Sequence, residues 1–152
     1  MPDEPTYRRA TANDAEAIAA VGAALWDELG QRSGLPGRLT DDGVRGRLEE
    51  WGERGALFVC EDAGPACGFA LVQPDVNHPD DAQMGVWLIP EARGRGIGRE
   101  LAVLATEFAR EAGYKRLSGI IPENNEQALS FFGDFGSIAQ IVGQGMEYEL
   151  PL

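Results

Sequence analysis

The amino-acid sequence predicts one domain of the α/β or α+β class, in which helices and strands interleave around a central sheet. Three observations favour this class. The chain has 152 residues, which is the length of a single domain with a sizeable core. Segments whose apolar residues have helical spacing alternate with short, continuous apolar runs of strand length. Glycine and proline separate these segments along the whole chain, and we find no internal repeat, low-complexity tract or linker.

The first third of the chain predicts a short strand and two helices. The strand is Thr6–Arg9, and residues 11–14 have the pattern of a capping box that begins the first helix. Thr40 is placed to cap the second helix, and residues 31–39 between the helices predict a loop because they contain glycine and proline. In the first helix, the apolar residues that recur every three or four positions are Ile18, Val21, Gly22, Leu25, Trp26 and Leu29.

The middle of the chain predicts a β-hairpin, a further strand and a long helix. Residues 56–60 and 67–72 are continuous apolar runs on either side of a turn, so we expect them to pair. A polar loop at residues 73–81 leads to a strand at residues 83–89. Gly113 stands where a left-handed residue would end the long helix. The expected apolar positions of that helix are Ile97, Leu101, Leu104 and Phe108.

The last third of the chain continues the alternation of strands and helices. It predicts a strand at residues 117–121 and a short helix at residues 124–135. One or two closing strands are expected within residues 139–150, around a glycine-containing turn.

The composition argues against nucleic acid and membrane partners. The chain carries 13 Lys+Arg against 25 Asp+Glu, a formal net charge of −12, whereas binding to phosphate backbones depends on a basic surface. The charge is compatible with a cationic partner, although plain solvation is the simpler interpretation. No stretch approaches the ~20 apolar residues of a membrane span, and the first ten residues lack the apolar core of a signal peptide. We therefore expect a cytoplasmic protein. Cys60 and Cys67 have neither CxxC spacing nor a histidine partner, so no metal site is predicted.

One segment points to chemistry: the glycine-rich turn between the strand at residues 83–89 and the long helix. A helix N-terminus presents unpaired backbone N–H groups, and glycines leave room for a ligand to approach them. The spacing differs from the GxGxxG of dinucleotide-binding proteins, and no Lys-Ser/Thr pair follows as in a P-loop. We therefore expect a polyanion such as a pyrophosphate, with a purely structural turn as the alternative. The residues of this turn are Arg93, Gly94, Arg95, Gly96, Ile97, Gly98 and Arg99.

Residues 93–98, with the sequence RGRGIG, fit the R/Q-x-x-G-x-G/A signature of the GCN5-related N-acetyltransferases (GNAT). The chain resembles this family along nearly its whole length. Residues 90–94 resemble the family's lead-in to the turn, and residues 125–132 resemble its N-x-x-A-x-x-x-Y segment. The resemblance implies a single domain over residues 1–152, with a mixed, mostly antiparallel sheet of six to seven strands flanked by about four helices.

The resemblance also implies an activity, the transfer of an acetyl group from acetyl-CoA directly to a primary amine within a ternary complex. In this family the glycine turn holds the pyrophosphate of acetyl-CoA. The acetyl group and the pantetheine arm would lie against Leu88, Ile89 and neighbouring main chain, where the fourth strand separates from the fifth. Asn125 would contact the pantetheine, and Phe132 would also lie at the cofactor. A homodimer is compatible with the resemblance, since dimers are common among similar proteins.

The resemblance places the acceptor amine beside residues 31–39 and the acidic residues of the second helix. A cationic amine would be attracted there, although such a helix face is commonly just solvated. Trp87 lies in the strand that leads to the acetyl site, so it either lines the acceptor pocket or packs in the core. The acidic residues of the second helix are Asp41, Asp42, Glu49 and Glu50.

The sequence does not identify the acid that would protonate the leaving sulfur. The family usually has a tyrosine for this role, and its position here is Phe132, which has no proton to give. Tyr114 and Tyr148 are the remaining candidates, and neither stands at the matching position. An alternative function follows: a module or sensor that binds acetyl-CoA with weak or no turnover.

The base and the oxyanion donor are open as well. The family often has a glutamate early in the fourth strand, and its position here is Ala82. The neighbouring Asp81 and the loop residue His78 are candidate bases, and water relayed to solvent is equally compatible. A backbone N–H of residue 88 or 89 is the candidate donor to the oxyanion.

Overall fold

Strands and helices alternate along the chain as predicted. The computed structural model describes residues 4–35, 37–62, 64–121, 138–142 and 145–152. In chain order the elements are β1 (Thr6–Arg9), α1 (Ala15–Leu29), α2 (Asp41–Trp51), β2 (Ala56–Glu61), β3 (Ala66–Pro74), β4 (Asp81–Leu88), α3 (Ile97–Glu111), β5 (Arg116–Ile121), β6 (Ile138–Val142) and β7 (Gly145–Pro151). The predicted helix at residues 124–135, which contains Asn125 and Phe132, lies outside the described residues.

The strands form one seven-stranded sheet in the order β1-β2-β3-β4-β5-β7-β6. Among the described strands, β4 and β5 form the one parallel pair, and the other neighbours are antiparallel. This confirms the α/β (α+β) class and the mixed, mostly antiparallel sheet of six to seven strands. None of the described helices is long and apolar enough to cross a membrane.

Local capping residues set the helix boundaries that the sequence predicts. The Thr11 hydroxyl accepts from the Asn13 N–H, and the Asp14 carboxylate accepts from the Thr11 N–H, which together form the predicted capping box. The Thr40 hydroxyl accepts from the Gly43 N–H at the start of α2. The strand boundaries agree less well, because pairing between β3 and β4 extends both strands into the predicted loop at residues 73–81.

Each face of the sheet has its own hydrophobic core. α1 and α2 cover one face, where Trp51 is buried as expected, and α3 covers the other. The predicted apolar face of α3 is confirmed, because Ile97 and Leu101 are buried and the partly buried Leu104 and Phe108 pack against the same core. Ala102, Ala105 and Ala109 are fully buried as well. The small alanine side chains allow α3 to lie close to the sheet.

β4 and β5 separate toward the carboxyl end of β4. Their ladder covers three residue pairs, from Asp81↔Arg116 to Gln83↔Ser118. β4 continues to pair with β3 as far as Leu88, while β5 continues to pair with β7 as far as Ile121. The sheet therefore contains a gap between the later parts of β4 and β5, as the family resemblance implies.

Candidate cofactor-binding site

The glycine turn begins where β4 ends and leads directly into α3. Gly94 has a φ of 75° and Gly96 a φ of 80°, left-handed values that favour glycine. Gly96 is the N-cap of α3 and provides no side-chain cap for the first N–H groups of the helix. A Cβ atom built on either glycine would meet no atom within 4 Å, so the space beside the turn is open. This backbone fits an anion that accepts hydrogen bonds at the positive end of α3.

Two apolar side chains fix this turn from below. Ala92 and Ile97, on either side of the glycines, are each only 1% exposed and pack in the core beneath α3. The residues between them, 93–96, run along the surface, and the side chain of Arg99 is exposed one turn further on. The turn is therefore anchored at both ends by buried side chains, while residues 94–96 between them are exposed.

Arg93 and Arg95 of the turn form ion pairs with acidic side chains. The Arg93 guanidinium donates to both carboxylate oxygens of Glu28 at 2.8 and 2.9 Å and to the Leu88 carbonyl at 3.1 Å. Arg95 donates to Asp62 at 2.6 Å. These arginines hold the pKa values of the Glu28 and Asp62 carboxyls below their usual range. The positive charge expected at the turn is thus partly balanced by the protein itself, and contact of either arginine with a cofactor stays a prediction.

The hydrogen-bond pattern of β4 shows which backbone groups face the gap. The Ile89 N–H donates to the Cys67 carbonyl of β3 at 3.0 Å. Because antiparallel neighbours alternate in direction, the N–H groups of Val86 and Leu88 point away from β3, toward the side of β5. Of the two predicted oxyanion donors, Ile89 is therefore excluded by its bond in the sheet, whereas Leu88 faces the gap. Val86 faces it too, and the sequence analysis missed this residue because strand register was not known.

The candidate bases lie at the other, closed end of the gap. Asp81 begins β4, is 7% exposed and accepts hydrogen bonds from Arg116 at 3.1 and 3.3 Å. It is seven residues from Leu88, or about 23 Å along an extended strand. His78 is exposed in the loop that precedes β4. The structure therefore does not bring Asp81 or His78 together with the glycine turn.

Comparison with known proteins identifies the family. A sequence profile of the acetyltransferase (GNAT) family matches residues 19–136, which include most of α1, the glycine turn and α3. The chain belongs to this family. The N-acetyltransferase YjgM of Escherichia coli is 30% identical over 118 residues, covering 76% of this chain and 71% of YjgM.

A second relative is considerably longer than this chain. The mycothiol acetyltransferase of Frankia casuarinae is 28% identical over 149 residues, which cover 91% of this chain and 42% of the relative. The chain thus spans less than half of that protein. Among solved structures, the acetyltransferase yncA of Salmonella typhimurium, determined with acetyl-CoA, has a TM-score of 0.83 at 18% identity, covering 99% of this chain and 95% of yncA. This likeness confirms the GNAT fold.

Of the two tyrosines considered for the acid in this GNAT protein, the structure shows the side-chain contacts of Tyr114. The Tyr114 hydroxyl donates to the Arg54 carbonyl at 2.7 Å, and its burial raises the pKa of the phenol. Tyr148 belongs to β7 and pairs with Gly119, but its side chain lies outside the described part of the structure. Tyr114 is therefore committed to a structural hydrogen bond.

Trp87 connects the sheet with the segment after α1. Its indole N–H donates to the Ser33 carbonyl at 2.7 Å, and its ring stacks on Phe69 with centroids 5.1 Å apart. Residues 30–33 form a 3₁₀ turn, where the sequence predicts an irregular loop. The partners Ser33 and Glu28 were missed by sequence reasoning, because no local pattern indicates contacts 54 and 65 residues apart.

The two cysteines lie side by side beneath the α3 face. Their sulfur atoms are 3.1 Å apart, both thiols are free, and both residues are buried. Burial, followed by the hydrogen bond with Cys67, raises the pKa of the Cys60 thiol to about 12. The described residues include no group of three or more metal-binding side chains.

Proposed function

We propose that the protein is an acetyl-CoA-dependent N-acetyltransferase that transfers the acetyl group directly to a primary amine in a ternary complex. One observation carries this proposal: an open, left-handed glycine turn caps α3 at the mouth of the gap between β4 and β5. A cofactor with an anionic pyrophosphate and a long, narrow arm fits such an arrangement. Family membership supports acetyl transfer as the reaction type.

In this proposal the glycine turn and the edge of β4 bind different parts of acetyl-CoA. The backbone of residues 94–98 would bind the pyrophosphate, with Arg95 and Arg99 beside it. The arm would run along the edge of β4 that faces the gap, past Leu88. The amine nitrogen attacks the thioester carbonyl, the resulting oxyanion accepts a hydrogen bond from the Leu88 or Val86 N–H, and the C–S bond then breaks to release CoA thiolate.

Proton transfer in this proposal depends on solvent. The amine loses one proton as the amide forms, and water accepts it because Asp81 and His78 lie at the far end of β4. The thiolate can leave without a dedicated acid, since a free thiol has a pKa of about 8.5. Holding both substrates in line would then supply most of the protein's contribution to the rate.

The acceptor would bind on the side of α1 and the segment that follows it. A cationic amine is favoured by the net charge of −12. A single domain over residues 1–152, a homodimeric state and a cytoplasmic location complete the proposal and rest on the sequence and the family resemblance.

Thiol release in the presence of a panel of amines tests the proposal. Polyamines, aminoglycosides, amino-acid derivatives and lysine peptides should be tried at several pH values, with acetyl-CoA as donor. We expect at least one amine to release CoA thiol faster than water alone. Acetyl-CoA should also raise the melting temperature, whereas NADH and ATP should not.

The outcome separates enzyme from binding module. Tight acetyl-CoA binding without thiol release across the panel would favour the module, which the Phe132 position keeps as the second candidate. Equal thermal shifts with acetyl-CoA, NADH and ATP would contradict the assignment of the glycine turn.

A further inference from the structure

The end of α1 and the turn after it lie beside the carboxyl end of β4. We refer to residues 28–35 as the acceptor wall. Two separate sets of side-chain hydrogen bonds, which we call ties, connect this wall to Trp87 and Arg93. These two residues lie on either side of Leu88 along the chain. Each tie joins segments more than 50 residues apart in sequence.

The first tie is formed by Arg93. Its guanidinium makes a bidentate pair with Glu28 at 2.8 and 2.9 Å and a third hydrogen bond to the Leu88 carbonyl at 3.1 Å. Bidentate pairs of this kind fix orientation as well as distance. To bind a phosphate instead, Arg93 would have to give up hydrogen bonds that already join the wall to β4.

The second tie is formed by Trp87, whose indole N–H donates to the Ser33 carbonyl at 2.7 Å. Ser33 is 6% exposed, and its hydroxyl donates to the Gly30 carbonyl at 2.6 Å and accepts from the Leu35 N–H at 3.1 Å. The carbonyl that receives the indole N–H is therefore held in a compact, hydrogen-bonded turn.

The indole ring of Trp87 packs against two residues of the sheet, Phe69 and Gly85. It stacks on Phe69 on one side, and it lies so close to Gly85 that a Cβ atom there would come within 2.2 Å of the ring. The sheet therefore holds the Trp87 ring in place, and the hydrogen bond of its N–H holds the Ser33 carbonyl of the wall beside β4.

We propose that Arg93 and Trp87 are positioning residues of the transfer reaction, which hold the acceptor wall in place rather than bind acetyl-CoA. This inference rests on the proposed function, because the position of the wall affects the reaction only if an amine approaches the acetyl-CoA thioester carbonyl beside Leu88. Small displacements of a bound reactant can lower a rate about 100-fold. The pairing of Glu28 with Arg93 further implies that a cationic acceptor is not recognised by Glu28.

Three variants test the proposal. Arg93→Gln removes the charge of the first tie, Trp87→Phe keeps an aromatic ring but removes the N–H of the second, and Lys115→Gln is the control. Lys115 pairs with Asp80 at the far end of β4, away from the proposed acceptor side, and belongs to neither tie. For each variant we would measure CoA affinity by calorimetry, hydrogen exchange of residues 28–35, and the amine KM and kcat with the best amine of the panel.

We expect Arg93→Gln and Trp87→Phe to speed exchange of the wall and to raise the amine KM by about tenfold, as for one lost hydrogen bond. CoA affinity should stay within about twofold, and Lys115→Gln should change none of these quantities. Arg93→Lys, which keeps the charge without the bidentate geometry, should give an intermediate effect and serves if Arg93→Gln does not fold.

Weakening of CoA binding by Arg93→Gln, with unchanged exchange in residues 28–35, would show that Arg93 is a phosphate ligand and would overturn the proposal. Unchanged exchange in Trp87→Phe would overturn the second tie. Failure of the proposed function would be distinct, because the unmodified protein would then release no CoA thiol with any amine of the panel, while the exchange measurement would still report on the wall.

Discussion

Gly94 and Gly96 are the residues on which the proposed cofactor site depends most directly. Both have φ values in the left-handed region, and both border open space at the start of α3. A side chain at either position would strain the backbone and occupy the place that a pyrophosphate needs. Backbone strain and loss of the binding space can be told apart by substituting another glycine that has a left-handed φ but lies away from the turn.

Gly94→Ala should lower both stability and cofactor affinity. We expect a loss of about 1–2 kcal/mol in the free energy of unfolding, the cost of a left-handed L-residue, and acetyl-CoA binding weaker by about tenfold or more. Gly113→Ala is the matched control, since Gly113 has a φ of 92° and open surroundings at the other end of α3. Urea unfolding and calorimetry measure the two effects, and equal affinities in the two variants would contradict the site.

Cys60 gives the protein a predicted sensitivity to alkaline pH. Because burial raises the pKa of this thiol from its usual value near 9 to about 12, the folded protein keeps a proton that the unfolded chain releases. The stabilisation is complete below pH 9 and is lost as the pH rises from there toward 12.

Cys60→Ser, which does not titrate in this range, should make the free energy of unfolding fall less steeply above pH 9. The difference in slope should reach at most about 1.4 kcal/mol per pH unit. Urea unfolding at several pH values between 8 and 10.5 measures it. Parallel curves for the variant and the unmodified protein would show that Cys60 does not titrate as described.

At the scale of elements, α3 connects the hydrophobic core with the candidate site. Its buried face includes three alanines, and its first turn follows the glycine turn directly. Any change that lifts α3 from the sheet should therefore displace the N–H groups that would bind the pyrophosphate.

Ala105→Leu tests this connection. Ala105 is fully buried against the sheet, so a larger side chain should cost about 1–3 kcal/mol of stability and should also weaken acetyl-CoA binding. Glu107→Leu, at an exposed position of the same helix, should change stability by less than about 0.5 kcal/mol. Undiminished stability of Ala105→Leu in urea unfolding would contradict the close packing of α3.

The elements differ in how well the sequence predicts them, and the reason is physical. The caps at Thr11 and Thr40 and the glycine turn depend on neighbours within a few residues, so local patterns identify them. The large apolar residues of α3 identify the face that packs against the core, but their spacing does not show that Ala102, Ala105 and Ala109 are fully buried there as well. The ties of Arg93 and Trp87 join distant segments, and only the fold brings their partners together.

At the scale of the whole molecule, the gap between β4 and β5 is a product of topology. β4 follows β3 to its carboxyl end, β5 follows β7, and the two strands share only three residue pairs. No single side chain creates this opening. Composition and residue spacing therefore do not predict it, whereas the resemblance to a family with the same strand order does. The net charge of −12 also affects the turn, because the acidic side chains of Glu28 and Asp62 pair with Arg93 and Arg95.

The central claim is that the glycine turn binds acetyl-CoA, and calorimetry of Gly96→Glu beside the unmodified protein tests it most directly. Gly96 is exposed but has a left-handed φ of 80°, so the variant should lose about 1–2 kcal/mol of stability and still fold, while its carboxylate would stand where the pyrophosphate binds. We predict that the unmodified protein binds acetyl-CoA but not NADH or ATP, and that Gly96→Glu loses this binding. Unchanged acetyl-CoA affinity in Gly96→Glu would contradict the account.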